Sequence, residues 1–420
     1  MSQKAANAVP IFDIDNFGAG VEVTEVAEDT YQCTSFANCT AFETVEGLVL
    51  VDTGLAALSE HVASELRAHT DAPVHTVVYT HGHADHAYGL DEFLLDGQAP
   101  PTVIAHEAMA DRFDRYARTK EYNQVINGRQ LSADPGAAEY HDLWSDDIFD
   151  WPEHPPTTWY SDDLTLTVGD TTFELHHARG ETDDATWLYC PDRDVLCSGD
   201  LVTASAPNAG NPQKVQRYPW DWADALREMA ALGAGTLLPG HGQPIADDPE
   251  AVERRLLGCA DYLDTIVDRT LEALNDGAPP HVDIVREVDL PEPEEPWLQS
   301  EYDCGEFIAR SVIRYYGGWW TGRPSELKPA RRAALAAEVA DLAGDAETLA
   351  SRAEALMDEG EERLACHLAD YALEAAPEDE AVQTAVASVY DERAEAAEDM
   401  MSANIFASAV LYANEGRLFR

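Results

Sequence analysis

One short segment limits this chain more than any other. A β-branched run, Val74–Thr80, leads directly into His81-Gly82-His83-Ala84-Asp85-His86. A strand that ends in a tight turn can present several side chains to one point. Gly82 and Ala84 are small enough to let His81 and His83 face the same side, while Asp85 and His86 turn to a neighbouring position. Imidazoles and a carboxylate at this density suit zinc or a similar first-row ion. The alternative is a histidine-rich surface turn, which the spacing disfavours.

One loop cannot fill two ion sites. Three later residues stand at the right places, each after an apolar run and beside a glycine. Glu181 lies in His177-Ala178-Arg179-Gly180-Glu181-Thr182-Asp183-Asp184, Asp200 ends Cys197-Ser198-Gly199-Asp200, and His241 sits in Pro239-Gly240-His241-Gly242. His177 is a weaker alternative to Glu181, and His176 reads as a packing residue. Asp52, in Val51-Asp52-Thr53-Gly54, reads either as the acceptor that orients a ligand histidine or as a plain turn residue.

The surrounding pattern alternates strands and helices. Strands are expected at Val21–Val26, Thr40–Val45, Gly47–Val51, Val74–Thr80, Thr102–Ala105, Leu164–Val168, Thr172–His176, Thr186–Tyr189, Val195–Ser198 and Thr236–Leu238. Helices are expected at Ala57–His69, Trp220–Leu232 and Val252–Asn275. The pattern lapses over 115–160, which reads as a long polar insertion near the site. Residues 276–298, rich in proline and acid, read as a linker. Beyond them the chain reads as helical throughout, with Ala346–Asp358, Glu361–Ala375 and Glu378–Ala396 in a series that has room for one or two tetratricopeptide-like repeats. The expected division is thus a lead-in over 1–20, an α/β domain over 21–275, the linker, and an all-helical domain over 299–420.

The chain has 420 residues and a formal net charge of −52, with lysine only at Lys4, Lys120, Lys214 and Lys328. Self-repulsion of this size strains a compact fold in dilute buffer and is screened at high salt, where the Debye length falls to about 3 Å. The acid is spread along the chain, which reads as a salt-adapted surface. It argues against binding nucleic acid or anionic membrane. Seven cysteines at scattered spacings, with no CxxC, fit a reducing compartment. With no basic segment followed by an apolar run in Met1–Phe12, the expected location is the cytoplasm.

These stations, in this order, resemble the metallo-β-lactamase superfamily, whose fold is an αββα sandwich. Most members carry histidine where this chain has Glu181, and glutamate there is similar to the alkyl sulfatase branch. Gly210-Asn211-Pro212-Gln213-Lys214-Val215-Gln216-Arg217-Tyr218 and Ile126-Asn127-Gly128-Arg129-Gln130 are also similar to that branch. So is the segment from about Tyr302, including Tyr315-Tyr316-Gly317-Gly318-Trp319-Trp320, which resembles the alkyl sulfatase dimerisation domain. The resemblance implies one ion on His81, His83 and Glu181 and a second on Asp85, His86 and His241, with Asp200 bridging both. In that branch the bridge is commonly glutamate. It implies two divalent ions, read as zinc, and hydrolysis of an alkyl sulfate ester by a hydroxide shared between them, with Asp200 and Asp85 as catalytic carboxylates. Asn208, Asn211, Lys214 and Arg217, with Asn127 and Arg129 from the insertion, form the candidate grip on a small anionic substrate; the alternative for these cations is structural ion pairing within the chain. The resemblance also implies a homodimer through the helical domain. Two other readings remain at this point. One is hydrolysis of a thioester, lactone or phosphodiester on the same site, and the other is a metal-stabilised scaffold without catalysis.

Overall fold

The computed structural model describes residues 20–134, 136, 146–277 and 281–419. The expected lead-in therefore lies, but for Gly20, outside the described residues. The described residues of Phe12–Asn123 and His141–Gly318 form one compact unit, and those of Gln124–Tyr140 and Trp319–Arg420 form another.

The first unit holds two sheets. Strands β1 (Glu22–Ala27), β2 (Thr30–Thr34), β3 (Cys39–Thr44), β4 (Gly47–Val51), β5 (Val74–Val78), β6 (Thr102–His106) and β7 (Thr158–Tyr160) pair in chain order. The β1–β4 pairings are antiparallel and the β4–β7 pairings parallel. The second sheet runs β12 (Thr236–Pro239), β11 (Val195–Gly199), β10 (Ala185–Cys190), β9 (Thr171–Ala178), β8 (Asp163–Val168), and only β11–β12 is parallel.

Alternation along β4 explains the layering. Successive side chains of a strand point to opposite faces. Val49 and Val51 face the second sheet, where they share a core with Phe42, Phe173, Leu175 and Leu188. Leu48 and Leu50 face outward and pack with Val62 and Leu66 of helix α1 (Ala56–Leu66). Buried on both faces, β4 is apolar at every position after Gly47, as a central strand between layers must be. On the outer face of the second sheet, α5 (Pro219–Ala231) and α6 (Pro249–Asn275) contribute Trp222, Leu226, Leu256 and Leu263 to a further core. The order of layers is helix, sheet, sheet, helix, as the motif order implied.

Three expectations need correction. Strand β2 was not foreseen, because Thr30-Tyr31-Gln32-Cys33-Thr34 mixes polar with apolar. All but the last are buried, and the Thr40 hydroxyl donates to Gln32 Oε1 at 2.7 Å. The segment 115–160 is no structureless insertion, since helix α3 (Ala108–Arg118) runs into it, and α4 (Lys120–Ser132) and β7 lie within it. Helix α3 buries Met109, Arg112 and Phe113, and the charged Arg112 disguises that face. The supposed linker contains α7 (His281–Glu287), whose Ile284 and Val285 are buried with Val288 and Ile313. Helix α8 (Gly305–Gly317) packs Ile308 and Ala309 into the core of α5 and α6, so the first unit continues to Gly318, past the expected domain end at 275 and into the expected helical domain from 299.

The second unit is helical. It comprises α9 (Arg332–Ala343), α10 (Ala346–Asp358), α11 (Glu362–Ala375), α12 (Glu380–Glu395) and α13 (Met400–Asn414), with the latter half of α4. Carboxylates start three of them. Asp345, Asp379 and Asp399 accept from backbone N–H groups of the first turn, a cap worth about 1 kcal/mol each. Alanines dominate its core, including Ala353, Ala365, Ala369 and Ala372, and let the helices approach closely.

Candidate metal centre

The seven expected ligands stand at the C-terminal ends of strands or in the loops that follow them. His81, His83, Asp85 and His86 follow β5, Glu181 follows β9, Asp200 follows β11 and His241 follows β12. They gather into two adjoining groups, His81–His83–Glu181–Asp200 and Asp85–His86–His241, and within each group the ligand atoms lie within 4.8 Å of one another. In the first group His81 Nε2 is 2.8 Å from His83 Nδ1, and His83 Nδ1 is 3.3 Å from Glu181 Oε2. Asp200 turns Oδ2 to His81 Nε2 at 3.6 Å and Oδ1 to His86 Nε2 and His241 Nε2 at 3.2 and 3.4 Å. Its carboxylate therefore faces both groups. The loops can meet here because Gly240 has no side chain. A Cβ at that position would lie 2.2 Å from Asp200 Oδ1 and 2.7 Å from the Gly199 carbonyl carbon.

Asp52 organises the centre from below. It holds φ +60°, a left-handed conformation that costs about 1–2 kcal/mol for a residue with a Cβ. In return its carboxylate accepts from Thr80 N, Thr80 Oγ1 and His86 Nδ1 at 2.7, 2.7 and 2.8 Å. Thr80 Oγ1 in turn lies 3.0 Å from His81 Nδ1. Asp52 thus fixes one ring directly and a second through Thr80, which leaves each Nε2 to face the centre. Of the two readings open for Asp52, this is the orienting acceptor. Asn38 pins the last ligand, since its Nδ2 donates to the Pro239 and Gly242 carbonyls at 2.9 and 2.8 Å, on either side of His241. His241 Nδ1 donates to the Phe36 carbonyl.

The electrostatics are those of a cation site. Burial disfavours charge on Asp200, but His241, His86 and His81 hold its carboxyl well below the usual range. Burial likewise opposes ionisation of Glu181, yet Arg217 and His83 bring it down to about 2. Burial and the neighbouring His86 and His83 push His81 well below the usual imidazole range, towards the neutral form that binds metal. Burial also disfavours the imidazolium of His241, but Asp200 and Asp85 push it up to about 9. His86 Nε2, Glu181 Oε2 and Asp200 Oδ1 are buried and meet no hydrogen-bond partner of good geometry. Buried polar atoms left this way are costly, about 1–3 kcal/mol each, unless something binds them. The residues fit a pair of divalent ions.

A family model described as the metallo-beta-lactamase superfamily matches residues 34–241, and one described as the alkyl sulfatase dimerisation domain matches residues 281–416. The chain carries a metallo-β-lactamase domain followed by an alkyl sulfatase dimerisation domain. A linear primary-alkylsulfatase of Pseudomonas sp. is 27% identical over 360 residues, 79% of this chain and 65% of the relative. An alkyl/aryl-sulfatase of Saccharomyces cerevisiae is 23% identical over 365 residues, 81% and 55% respectively. The solved structure of an inverting sec-alkylsulfatase from Pseudomonas sp. superposes with a TM-score of 0.82 at 20% identity, over 94% of this chain and 66% of that one. The fold is shared, and this chain spans less than two thirds of the length of these relatives.

Not every expected substrate contact faces outward. Arg217 is buried and spends its guanidinium on Glu181, with Nη1 2.9 Å from Oε1 and a further bond to the Glu181 carbonyl. Asn208 Nδ2 also donates to Glu181 Oε1. A buried carboxylate needs such partners, so both are supports of a ligand instead of an anion grip. Arg129 is buried in the helical unit, its guanidinium 4.1 Å from the centre of the Phe419 ring, and Asn127 lies half-buried on the same helix. Lys214 and Asn211 remain in the first unit's loop. Burial and Arg217 bring the Lys214 ammonium down to about 7, against the pull of Glu181 and Asp85. Asn211 is buried, and its Nδ2 meets no hydrogen-bond partner among the described residues. His177 stacks on His106 at 3.6 Å and His176 stacks on Trp187, so neither joins the ligands. The sequence reading missed Asn38, Arg112 and Asp184. Only the doublet Asp183-Asp184 beside Glu181 hinted at one of them.

Proposed function

We propose that this chain is a binuclear metal-dependent hydrolase of alkyl sulfate esters. The observation that carries the reading is the paired ligand groups with the Asp200 carboxylate facing both. His81 Nε2, His83 Nδ1, Glu181 Oε2 and Asp200 Oδ2 would hold one ion. Asp85 Oδ2, His86 Nε2, His241 Nε2 and Asp200 Oδ1 would hold the other. Bound there, two divalent ions, read as zinc from the imidazole–carboxylate donor set, would supply Lewis acidity and lower the pKa of water. Asp200 and Asp85 are the carboxylates placed to accept a proton from the attacking water. Lys214 and the Asn211 amide supply donors for an anionic ester, with charge-assisted bonds from the former. The substrate class rests on the alkylsulfatase relatives and on this cationic loop in a chain of net charge −52.

The dimerisation-domain match supports a homodimer through 299–420. Leu335 and Leu342 support it, since they lie one heptad apart on α9 and are exposed, Leu342 to 88%. No helix among the described residues is long and apolar enough to cross a membrane. The excess of acid and the reducing-type cysteine usage favour a salt-rich cytoplasm.

The reading is tested by a kinetic screen of linear and branched alkyl sulfates, phosphate mono- and diesters, thioesters and lactones, at high salt with added zinc. Turnover of alkyl sulfates above the other classes is expected. Faster turnover of any other class replaces the substrate assignment, and no turnover with two ions bound removes the catalytic one.

A further inference from the structure

The ligand loops of the first group come from strands far apart in sequence, and one ion pair ties them together. Gly82 N, between His81 and His83, donates to Asp184 Oδ2 at 2.9 Å. Asp184 is fully buried and lies three residues beyond Glu181, so this bond fastens the histidine loop to the glutamate loop. Its other oxygen, Oδ1, accepts from Arg112 Nε at 2.7 Å, and Arg112 Nη2 donates to Asp183 Oδ1. The Arg112 stem also presses on the loop itself. A Cβ on Gly82 would lie 2.9 Å from Arg112 Cδ and 3.1 Å from Met109 Cγ, which are one turn apart on α3. Arg112 is 2% exposed, and both neighbouring carboxylates offset the burial of its charge.

We infer that Arg112 and Asp184 are positioning residues for the first ion, acting by locking the His81–His83 turn against Glu181. The fork geometry matters. Only a planar guanidinium can donate to Asp184 and Asp183 from one rigid group while its stem fills the space beside Gly82. Without it Asp184 turns away, the Gly82 amide loses its acceptor, and the 3.3 Å approach of His83 Nδ1 to Glu181 Oε2 is no longer enforced. Asp85, His86 and His241 receive no contact from this pair and should be indifferent to it.

The inference rests on the two-ion reading, and one experiment separates their failures. Zinc affinity is measured by chelator competition on the full chain, for wild type, Arg112→Lys and Asp184→Asn. Each change is repeated with His241→Ala, which leaves the first ion, and with His83→Ala, which leaves the second. Circular dichroism and melting temperature check the fold. Wild type should bind two ions. Arg112→Lys and Asp184→Asn should weaken the ion that survives His241→Ala by about 10–100-fold, the usual effect of losing such support. The ion that survives His83→Ala should be held within about twofold. Equal weakening of both ions, or unchanged affinity for both, overturns the inference. Should Asp184→Asn fail to fold, Arg112→Lys, which keeps charge and stem, decides alone. Wild type that binds no zinc overturns the two-ion reading instead.

Discussion

The two halves of the centre are built by different means. The first group, His81, His83 and Glu181, is held by charge, with Arg217 on Glu181 and Arg112 on Asp184, which in turn holds the Gly82 amide. Asp52 serves both groups, holding His86 directly and His81 through Thr80, and His241 of the second group is held by neutral backbone contacts through Asn38 and Phe36. The difference follows from the ligands. The first half includes Glu181, a buried carboxylate, and a buried carboxylate must be paired or it is strongly disfavoured. Arg217 answers the buried charge of Glu181 and Arg112 that of Asp184, whereas the carboxylate of the second half, Asp85, faces His86 and His241.

The sharpest way to break the contrast is Glu181→Gln. It removes the carboxylate and strands the Arg217 guanidinium, which is 3% exposed. Breaking a buried pair from one side costs about 3–5 kcal/mol. Chemical denaturation should register a loss of that order, and kcat/KM for an alkyl sulfate should fall at least about 1,000-fold, the scale of about 4 kcal/mol of transition-state stabilisation. A smaller effect is expected on the second half. Asn38→Ala frees the Pro239 and Gly242 carbonyls, should cost about 1–3 kcal/mol in the same assay, and should weaken the ion held by His241 by about tenfold. If Asn38→Ala instead matched Glu181→Gln, the two halves would not differ in kind.

The smallest effect concerns the substrate loop and depends on pH. Lys214 is brought from the usual lysine range down to about 7, first by burial and then by Arg217. It is protonated below that pH and neutral above it. The KM for an anionic ester should therefore rise several-fold as pH passes from 6 to 8, with the charge-assisted bond lost on deprotonation. Lys214→Arg, whose charge does not titrate in this range, should flatten the profile. A KM that rises equally in both proteins would exclude Lys214 from the grip. The same group makes a stability prediction. Its folded pKa is depressed, so folding is opposed fully below about 7, and stability should rise with pH between about 7 and the unfolded value near 10.4.

Much of this was legible before the fold was known, for a physical reason. Four ligands share one six-residue turn, and the other three announce themselves by a glycine at the end of an apolar strand, where the backbone must turn sharply. The layers followed from apolar runs such as Leu48–Val51. What escaped notice was whatever depends on charges meeting across the fold. Arg112 sits among polar residues of α3 and gives no sign that its partner is 72 residues away. A cation beside a metal motif suits either an anion from outside or an ion pair within the chain, and sequence alone does not decide between them; for Arg217 the anion it meets is the chain's own Glu181. Strand β2 and helix α7 were overlooked for a related reason, since Gln32 is buried with a private partner and Ile284 and Val285 lie inside a proline-rich, acidic stretch.

The most direct test of the central claim is the zinc content of the purified full chain, by elemental analysis after equilibration with a slight excess of zinc and removal of free metal. Two ions per chain are predicted, falling to about one in His241→Ala and to fewer than one in Asp200→Ala, whose carboxylate faces both groups. A wild-type value below one, or an Asp200→Ala protein that keeps both ions, would contradict the account.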